Sequence, residues 1–162
     1  MNSVMHTSGG KALTDLILEV FRLNGRLLVA GDRVVAGLGL TSARWQVLGA
    51  IAFAQQPQPV SWLARDMGLN RQGVQRIVNE MKEAGLIEFA PNPHHKRAPL
   101  VMLSKAGRAA FDTATQLQIP WANALANGIA APDIDAARRI AALLRARLTP
   151  TEDPDAVETL GF

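Results

Sequence analysis

Four long polar side chains recur near the middle of the chain at the spacing of one face of an α-helix. They are Gln72, Gln75, Arg76 and Asn79. The same segment holds an apolar stripe at helical spacing that would face a core: Val74, Ile77, Val78 and Met81. In the DNA major groove, glutamine and asparagine amides form paired hydrogen bonds with adenine, and arginine pairs with guanine. The polar stripe therefore fits a DNA-reading surface, although an ordinary solvated helix face explains the stripe alone equally well.

The polar stripe belongs to the second of two helices predicted within residues 59–85. Gly68 and Gly85 are expected to end the two helices, since glycine accepts the left-handed conformation of a terminating residue. Asn70 is the expected N-cap of the second helix. Gly73 costs this helix about 1 kcal/mol relative to alanine. Either the backbone at Gly73 approaches a DNA phosphate closely, or the first turn is merely frayed.

A β-hairpin is predicted directly after these two helices. Two short β-prone runs, LIEF and PLVML, are separated by the loop APNPHHKRA. The loop carries two histidines and two basic residues: His94, His95, Lys96 and Arg97. The predicted fold is therefore mainly α with a small β-hairpin wing, the order of elements in a winged helix-turn-helix, with long N- and C-terminal helices.

Positive charge is concentrated around these elements. The whole chain has a formal net charge of +3. Between Arg65 and Arg108 there are eight basic and four acidic residues, a local charge of +4, so the remainder carries −1. Such a distribution favours contact with a polyanion through the central segment.

The helices at the two ends of the chain are long. Helical periodicity extends over residues 11–36, with apolar positions on more than one face, which favours a partner outside the core and most simply a second copy of the chain. Ser104 is the expected cap of a later helix, and Pro120 inside that helix predicts a kink near residues 116–120 or a break there. Pro132 opens the final helix. The Gly-rich residues 1–10 are predicted to be disordered and the acidic residues 149–162 to form a flexible tail.

Composition removes several classes of function. The chain has 162 residues and no cysteine, which excludes disulfides, cysteine-ligated zinc and thiol-based redox sensing. It has no run of about 18 apolar residues, so a cytoplasmic protein without a membrane partner is expected. His94 and His95 are adjacent and have no nearby carboxylate cluster, so we expect no metal site. Without a Gly-rich phosphate loop or a serine elbow, we expect neither catalytic residues nor a cofactor.

Three segments closely resemble the MarR family of bacterial transcriptional regulators: LTSARWQVLGAI, VSWLARDMGLNRQGVQRIVNEMKEAGLIEF and NPHHKRAPLVMLSKAGR. The resemblance covers residues 13–148. It implies a homodimer with intertwined first and last helices and two DNA-reading lobes. On this basis residues 11–148 form a single domain, with dimerisation helices at 11–38 and 104–148 and a DNA-binding lobe at 41–103.

The resemblance also assigns DNA-binding residues. Positions matching the DNA-facing side of the family's recognition helix are Asn70, Arg71, Gln72, Gln75, Arg76 and Asn79. Arg97 matches the wing arginine that enters the minor groove. Lys96 beside it is also predicted to bind DNA. The family often has an aspartate two residues before that arginine, where this chain has His95. The wing is therefore expected to be less restrained, and a plain loop histidine is favoured there over a pH sensor.

The predicted function is a dimeric regulator that binds a specific, pseudo-palindromic site in double-stranded DNA and acts as a repressor released by a small molecule. The alternative is a winged-helix module that contacts a protein partner instead of DNA. An amphipathic pocket for a small aromatic or anionic effector is predicted from four residues: Arg22, Arg26, Trp45 and Trp62. It is equally consistent with the sequence that both tryptophans belong to the core and both arginines to the surface.

Overall fold

The computed structural model describes residues 6–149 and contains six α-helices and three short strands in that range. The helices are α1 (Ser8–Val35), α2 (Ser42–Phe53), α3 (Val60–Met67), α4 (Arg71–Glu83), α5 (Lys105–Ala126) and α6 (Ala131–Leu148). The strands are β1 (Gln58–Pro59), β2 (Ile87–Ala90) and β3 (Leu100–Leu103), and one 3-10 turn covers Ala36–Leu38. The predicted fold class, mainly α with a winged helix-turn-helix, is confirmed.

The first helix begins inside the segment predicted to be disordered. Its first residue is Ser8, and the Thr7 hydroxyl accepts a hydrogen bond from the Gly10 amide at 3.0 Å. This cap satisfies an amide that the helix itself leaves unpaired, and the start expected at Lys11 was therefore three residues too late. Residues 1–5 and 150–162 lie outside the described part of the chain, so the predicted disorder of the first and the flexibility of the second remain predictions.

Ser42 fixes the junction between α1 and α2. Its hydroxyl donates to the Leu28 carbonyl at 2.7 Å, and its amide donates to the Asp32 carboxylate at 2.6 Å. The neighbouring Thr41 caps α2, because its hydroxyl accepts a hydrogen bond from the Arg44 amide. Ser42 is 4% exposed, and a Cβ on Gly31 of α1 would collide with its hydroxyl oxygen. Glycine at position 31 thus permits the close approach of the two helices.

The helix-turn-helix consists of α3 and α4, and both helices end as predicted. Gly68 and Gly85 have φ of 65° and 71°. The Leu86 amide donates to the Met81 carbonyl at 2.9 Å, and Leu69 donates to Ala64 at 2.9 Å, which are the six-residue closures of Schellman motifs. Each turn satisfies carbonyls that a helix end leaves free. The buried face of α4 consists of Val74, Val78 and Met81.

The wing is a three-stranded antiparallel sheet in the order β1-β3-β2. Phe89 of β2 pairs with Val101 of β3, as expected for the hairpin, while Gln58 of β1 pairs with the same Val101 on the other side. Strand β1 was not predicted from the sequence. Proline is tolerated at Pro59 because β1 is an edge strand.

The start of α5 is fixed against the end of the helix-turn-helix. The Ser104 hydroxyl caps α5 by accepting from the Gly107 amide at 3.0 Å, and it donates to the Gly85 carbonyl at 2.6 Å. A Cβ on Gly107 would collide with the Leu86 carbonyl, so the contact requires glycine. The helix then continues through Pro120 to Ala126, and the alternative of a helix break at Pro120 was wrong.

The chain separates into two compact units, with the boundary between Trp121 and Ala122 inside α5. The first unit contains the buried core, to which α1, α2, α3, α4, α5 and the sheet contribute. The second contains the end of α5 and α6, whose described residues include no buried apolar side chain. No single helix in the described range is long and apolar enough to cross a membrane; the bent pair Ser8–Leu38 and Ser42–Phe53, with 81° between its halves, meets that criterion only when its two parts are combined.

Candidate nucleic-acid interface

Helix α4 is held in place at three points along its length. The Asn70 side-chain oxygen accepts from the amides of Gln72 at 2.8 Å and Gly73 at 3.4 Å, which confirms it as the N-cap. The apolar stripe anchors the middle of the helix in the core. Near its end, Arg44 of α2 donates to the Glu80 carboxylate at 3.1 Å. The orientation of the opposite, polar face is therefore set by the rest of the lobe.

The polar face of α4 forms a shallow surface groove, called here the α4 groove. Its lining residues are Arg71, Gln72, Gln75, Arg76, Asn79, Glu80 and Glu83. The Gln75 amide nitrogen donates to the Asn79 side-chain oxygen at 2.9 Å, so these two side chains share one orientation. The groove offers amide and guanidinium donors for base edges. Five of the six residues assigned to DNA reading on this helix lie in it.

Two carboxylates at the end of the α4 groove were not assigned to the site from the sequence. Glu80 is held by Arg44, whereas Glu83 is exposed in the last turn of α4. A carboxylate can accept from the cytosine amino group in the major groove and repels phosphate. Their spacing from Arg76 and Asn79 on the helix was the available signal, since residues three and four apart share a face.

The wing lies beside the same helix face. A second depression of about 280 Å³, the wing cleft, is lined by Pro59, Val60, Ser61, Arg71, Gln75, Asn79, Phe89, Arg97, Ala98 and Pro99. Arg97 of the wing therefore shares a cleft with Arg71, Gln75 and Asn79 of α4. Lys96 is exposed on the wing loop and lines neither depression, and Asn70 uses its side-chain oxygen for the helix cap.

Another cavity, of about 430 Å³, lies elsewhere in the first unit, among α1, α2 and α5. This aromatic cavity is lined by Asn24, Leu27, Leu28, Gly31, Ser42, Trp45, Gln46, Gly49, Phe53, Phe111, Thr115, Gln118 and Trp121. Its volume falls within the range typical of small-molecule sites. No charged side chain is among these lining residues.

Only one of the four residues predicted to line an effector pocket does so, namely Trp45. Arg22 and Arg26 lie two positions before and after Asn24 on α1, and two residues turn a helix by about 200°, so both face away from the cavity. Arg22 pairs instead with Glu19 at 2.6 Å. Trp62 lies on α3, 48% exposed, with the Arg65 guanidinium 5.6 Å from its ring centroid.

Comparison with known proteins gives a consistent result. A family model described as the MarR family matches residues 38–98. An uncharacterized protein of Mycobacterium tuberculosis is 37% identical over 123 residues, which cover 76% of this chain and 85% of that protein. The multiple antibiotic resistance protein MarR of Escherichia coli is 30% identical over 115 residues, covering 66% of this chain and 78% of its own.

Solved structures agree on the fold. The crystal structure of CouR from Rhodococcus jostii RHA1 bound to p-coumaroyl-CoA has a TM-score of 0.71 at 23% identity, covering 85% of this chain and 94% of that one. The regulator MosR of Mycobacterium tuberculosis has a TM-score of 0.66 at 26% identity, covering 81% and 93%.

Proposed function

The chain belongs to the MarR family of DNA-binding transcriptional regulators, and we propose that it acts as a homodimeric repressor of a pseudo-palindromic operator. The observation that carries this proposal is the wing cleft, which Arg97 of the wing lines together with Arg71, Gln75 and Asn79 of α4. One lobe, residues 41–103, thus offers a helix for the major groove and a basic loop for the adjacent minor groove.

The contacts divide by chemistry. Gln72, Gln75, Arg76 and Asn79 read base edges from α4, since their side chains offer the paired donors and acceptors that bases present. Arg71 at the start of the helix, together with Lys96 and Arg97 on the wing, supplies positive charge for phosphates and the minor groove. Sequence preference therefore resides in α4, and much of the salt-dependent affinity resides in the wing.

Dimerisation is supported by apolar surface on the terminal helices. Eight large apolar side chains on α1 are exposed: Leu16, Ile17, Leu18, Val20, Phe21, Leu23, Leu27 and Val29. In α6 the exposed set includes Ile134, Ile140, Leu143 and Leu148. Apolar surface of this extent is typical of an interface. Residues 11–38 and 104–148 are accordingly assigned to the dimer.

The effector is proposed to be an uncharged aromatic molecule held in the aromatic cavity. Trp45, Phe53, Phe111 and Trp121 provide aromatic walls. Asn24, Gln46 and Gln118 provide amides to orient a ligand, whereas the Thr115 hydroxyl already donates to the Phe111 carbonyl. A carboxylate bound there would lose its water without gaining a cationic partner, which is costly. The anionic class expected from Arg22 and Arg26 is therefore replaced by a neutral one.

The DNA-binding proposal is tested by a gel-shift titration of the DNA upstream of the protein's own gene, repeated across salt concentrations. If six or more phosphates are contacted, affinity should fall on the order of 10³-fold or more between 50 and 200 mM salt. Binding that is independent of both salt and sequence would contradict the proposal. A stoichiometric protein that co-purifies with the chain, in the absence of nucleic acid, would favour the protein-contact module.

The effector proposal is tested by tryptophan fluorescence in the Trp62→Phe variant. The chain has three tryptophans, and this variant keeps only the two that line the aromatic cavity. Neutral phenols and aromatic amides are expected to quench or shift its emission and to release operator DNA, while matched benzoates act more weakly. Stronger binding of the benzoates would overturn the neutral assignment.

A further inference from the structure

The wing loop between β2 and β3 is organised by one side chain. Asn92 is half-buried, whereas the residues from Pro93 to Arg97 are exposed. Its side-chain nitrogen donates to the Ala98 carbonyl at 2.8 Å, and its side-chain oxygen accepts from the His94 amide at 3.0 Å. Asn92 thus connects the outgoing and returning halves of the loop.

The backbone of the loop follows from this connection. The His95 amide donates to the Asn92 carbonyl at 3.3 Å, and the Ala98 amide donates to the His95 carbonyl at 3.0 Å. Two consecutive turns result, and Arg97 lies inside the second one. Because Ala98 is bonded through both its amide and its carbonyl, the main chain next to Arg97 has little freedom.

The two side-chain bonds require an amide. One atom must donate to a carbonyl while the other accepts from an N–H, and a carboxamide offers both on the same carbon. An aspartate at position 92 would keep the bond from His94 but place a second acceptor against the Ala98 carbonyl. Alanine would lose both bonds.

We propose that Asn92 is a positioning residue for DNA binding, which holds the wing loop so that Arg97 faces the wing cleft. The proposal rests on the proposed function, in which Arg97 contacts DNA. It also revises an expectation from the sequence, where His95 in place of an aspartate predicted a less restrained wing. In this chain the wing loop is restrained by Asn92, three residues before His95. Asn92 bonds the main chain of the loop and not the Arg97 side chain.

The test compares Asn92→Ala, Asn92→Asp, Arg97→Ala and the double variant Asn92→Ala/Arg97→Ala. Operator affinity of Asn92→Ala should fall roughly tenfold, the factor that corresponds to the net contribution of about one hydrogen bond. The operator affinity of Asn92→Asp should fall at least as far. The double variant should bind no more weakly than Arg97→Ala, since Asn92 acts only through Arg97. His94→Ala is the matched control, because it truncates the neighbouring side chain and keeps the amide that Asn92 binds.

A second readout does not depend on DNA. Backbone ¹⁵N relaxation of the free protein should show lower order parameters for residues 94–98 in Asn92→Ala and unchanged values in His94→Ala. Unchanged order parameters in Asn92→Ala, or an additive loss of affinity in the double variant, would overturn the positioning role. If Arg97→Ala binds DNA like the wild type while the relaxation result holds, the wing assignment in the proposed function fails instead.

Discussion

Helices α4 and α1 are both amphipathic, but the chain uses their apolar faces differently. In α4 the apolar residues Val74, Val78 and Met81 are buried within the lobe, and the face left exposed is polar. In α1, which has 28 residues, the buried positions are only Gly31 and Val35, and eight large apolar side chains are exposed on more than one face. In a single chain the apolar side chains of α4 are therefore buried, whereas those of α1 are largely exposed to water.

This difference separates two kinds of recognition. A polar face with an anchored backbone suits a ligand whose own surface is polar and charged, as DNA is. Exposed apolar side chains are stabilised by removal from water, and in the proposed homodimer a second copy of the chain covers them. The two helices together therefore predict a protein that must dimerise through α1 before two copies of α4 can meet one DNA site.

The largest effect is expected from a charge placed in the apolar face of α1. Phe21 is 70% exposed, and Phe21→Glu should convert the dimer to a monomer because a carboxylate would be buried without a partner. Operator affinity should then fall by about 10²–10⁴, since the second half-site no longer binds as part of the same particle. Sedimentation and gel-shift assays would measure both changes.

The matched control for this prediction is Arg22→Glu, which places the same charge at the next position, where the side chain is already exposed and polar. It should remain dimeric. If Phe21→Glu remained dimeric and bound DNA with normal affinity, the exposed apolar side chains of α1 would not form the dimer interface.

A smaller effect is expected on the polar face of α4. Arg76→Ala should cost about 1–3 kcal/mol for the preferred operator and relax the preference at one base pair. Arg97→Ala on the wing should weaken binding more evenly across sequences and reduce its salt dependence. Sequence selection with each variant would separate the two. An unchanged consensus for Arg76→Ala would show that the exposed face of α4 is not a base-reading surface at that position.

The smallest effect concerns Gly73 in the first turn of α4. A Cβ there would meet open space in the protein, so Gly73→Ala should stabilise the fold by about 0.5–1 kcal/mol. If the glycine instead allows a phosphate to approach the backbone, the same variant should bind DNA more weakly despite its higher stability. Denaturant unfolding and a gel shift on one sample would measure both. Tighter DNA binding would favour the simpler interpretation, a frayed first turn.

Local patterns in the sequence predicted the elements that depend on local physics. The Asn70 cap and the helix ends at Gly68 and Gly85 follow from side-chain chemistry, and both are present. The apolar stripe of α4 follows from helical periodicity, and it is buried except at Ile77, which is half-buried. The hairpin wing was predicted in the same way. For this reason the surface that includes Gln75 could be identified before its surroundings were known.

Features that depend on distant pairing were not predicted. Strand β1 is two residues long and exists only because Gln58 and Pro59 pair with β3. The aromatic cavity combines Trp45 of α2 with Phe111 and Trp121 of α5, which are far away in the sequence, and no local pattern connects them. Arg22 and Arg26 were assigned to a pocket by residue type alone, without regard to the helix face that each occupies.

DNA reading by a dimer is tested most directly by selecting bound sequences from random double-stranded DNA with the purified 162-residue chain and measuring how many chains bind the selected site. We expect an inverted repeat whose half-sites lie about one helical turn apart and are occupied by two chains. Two results would contradict this expectation. One is that no sequence is enriched, and the other is that a single half-site binds one chain as tightly as an inverted repeat binds two.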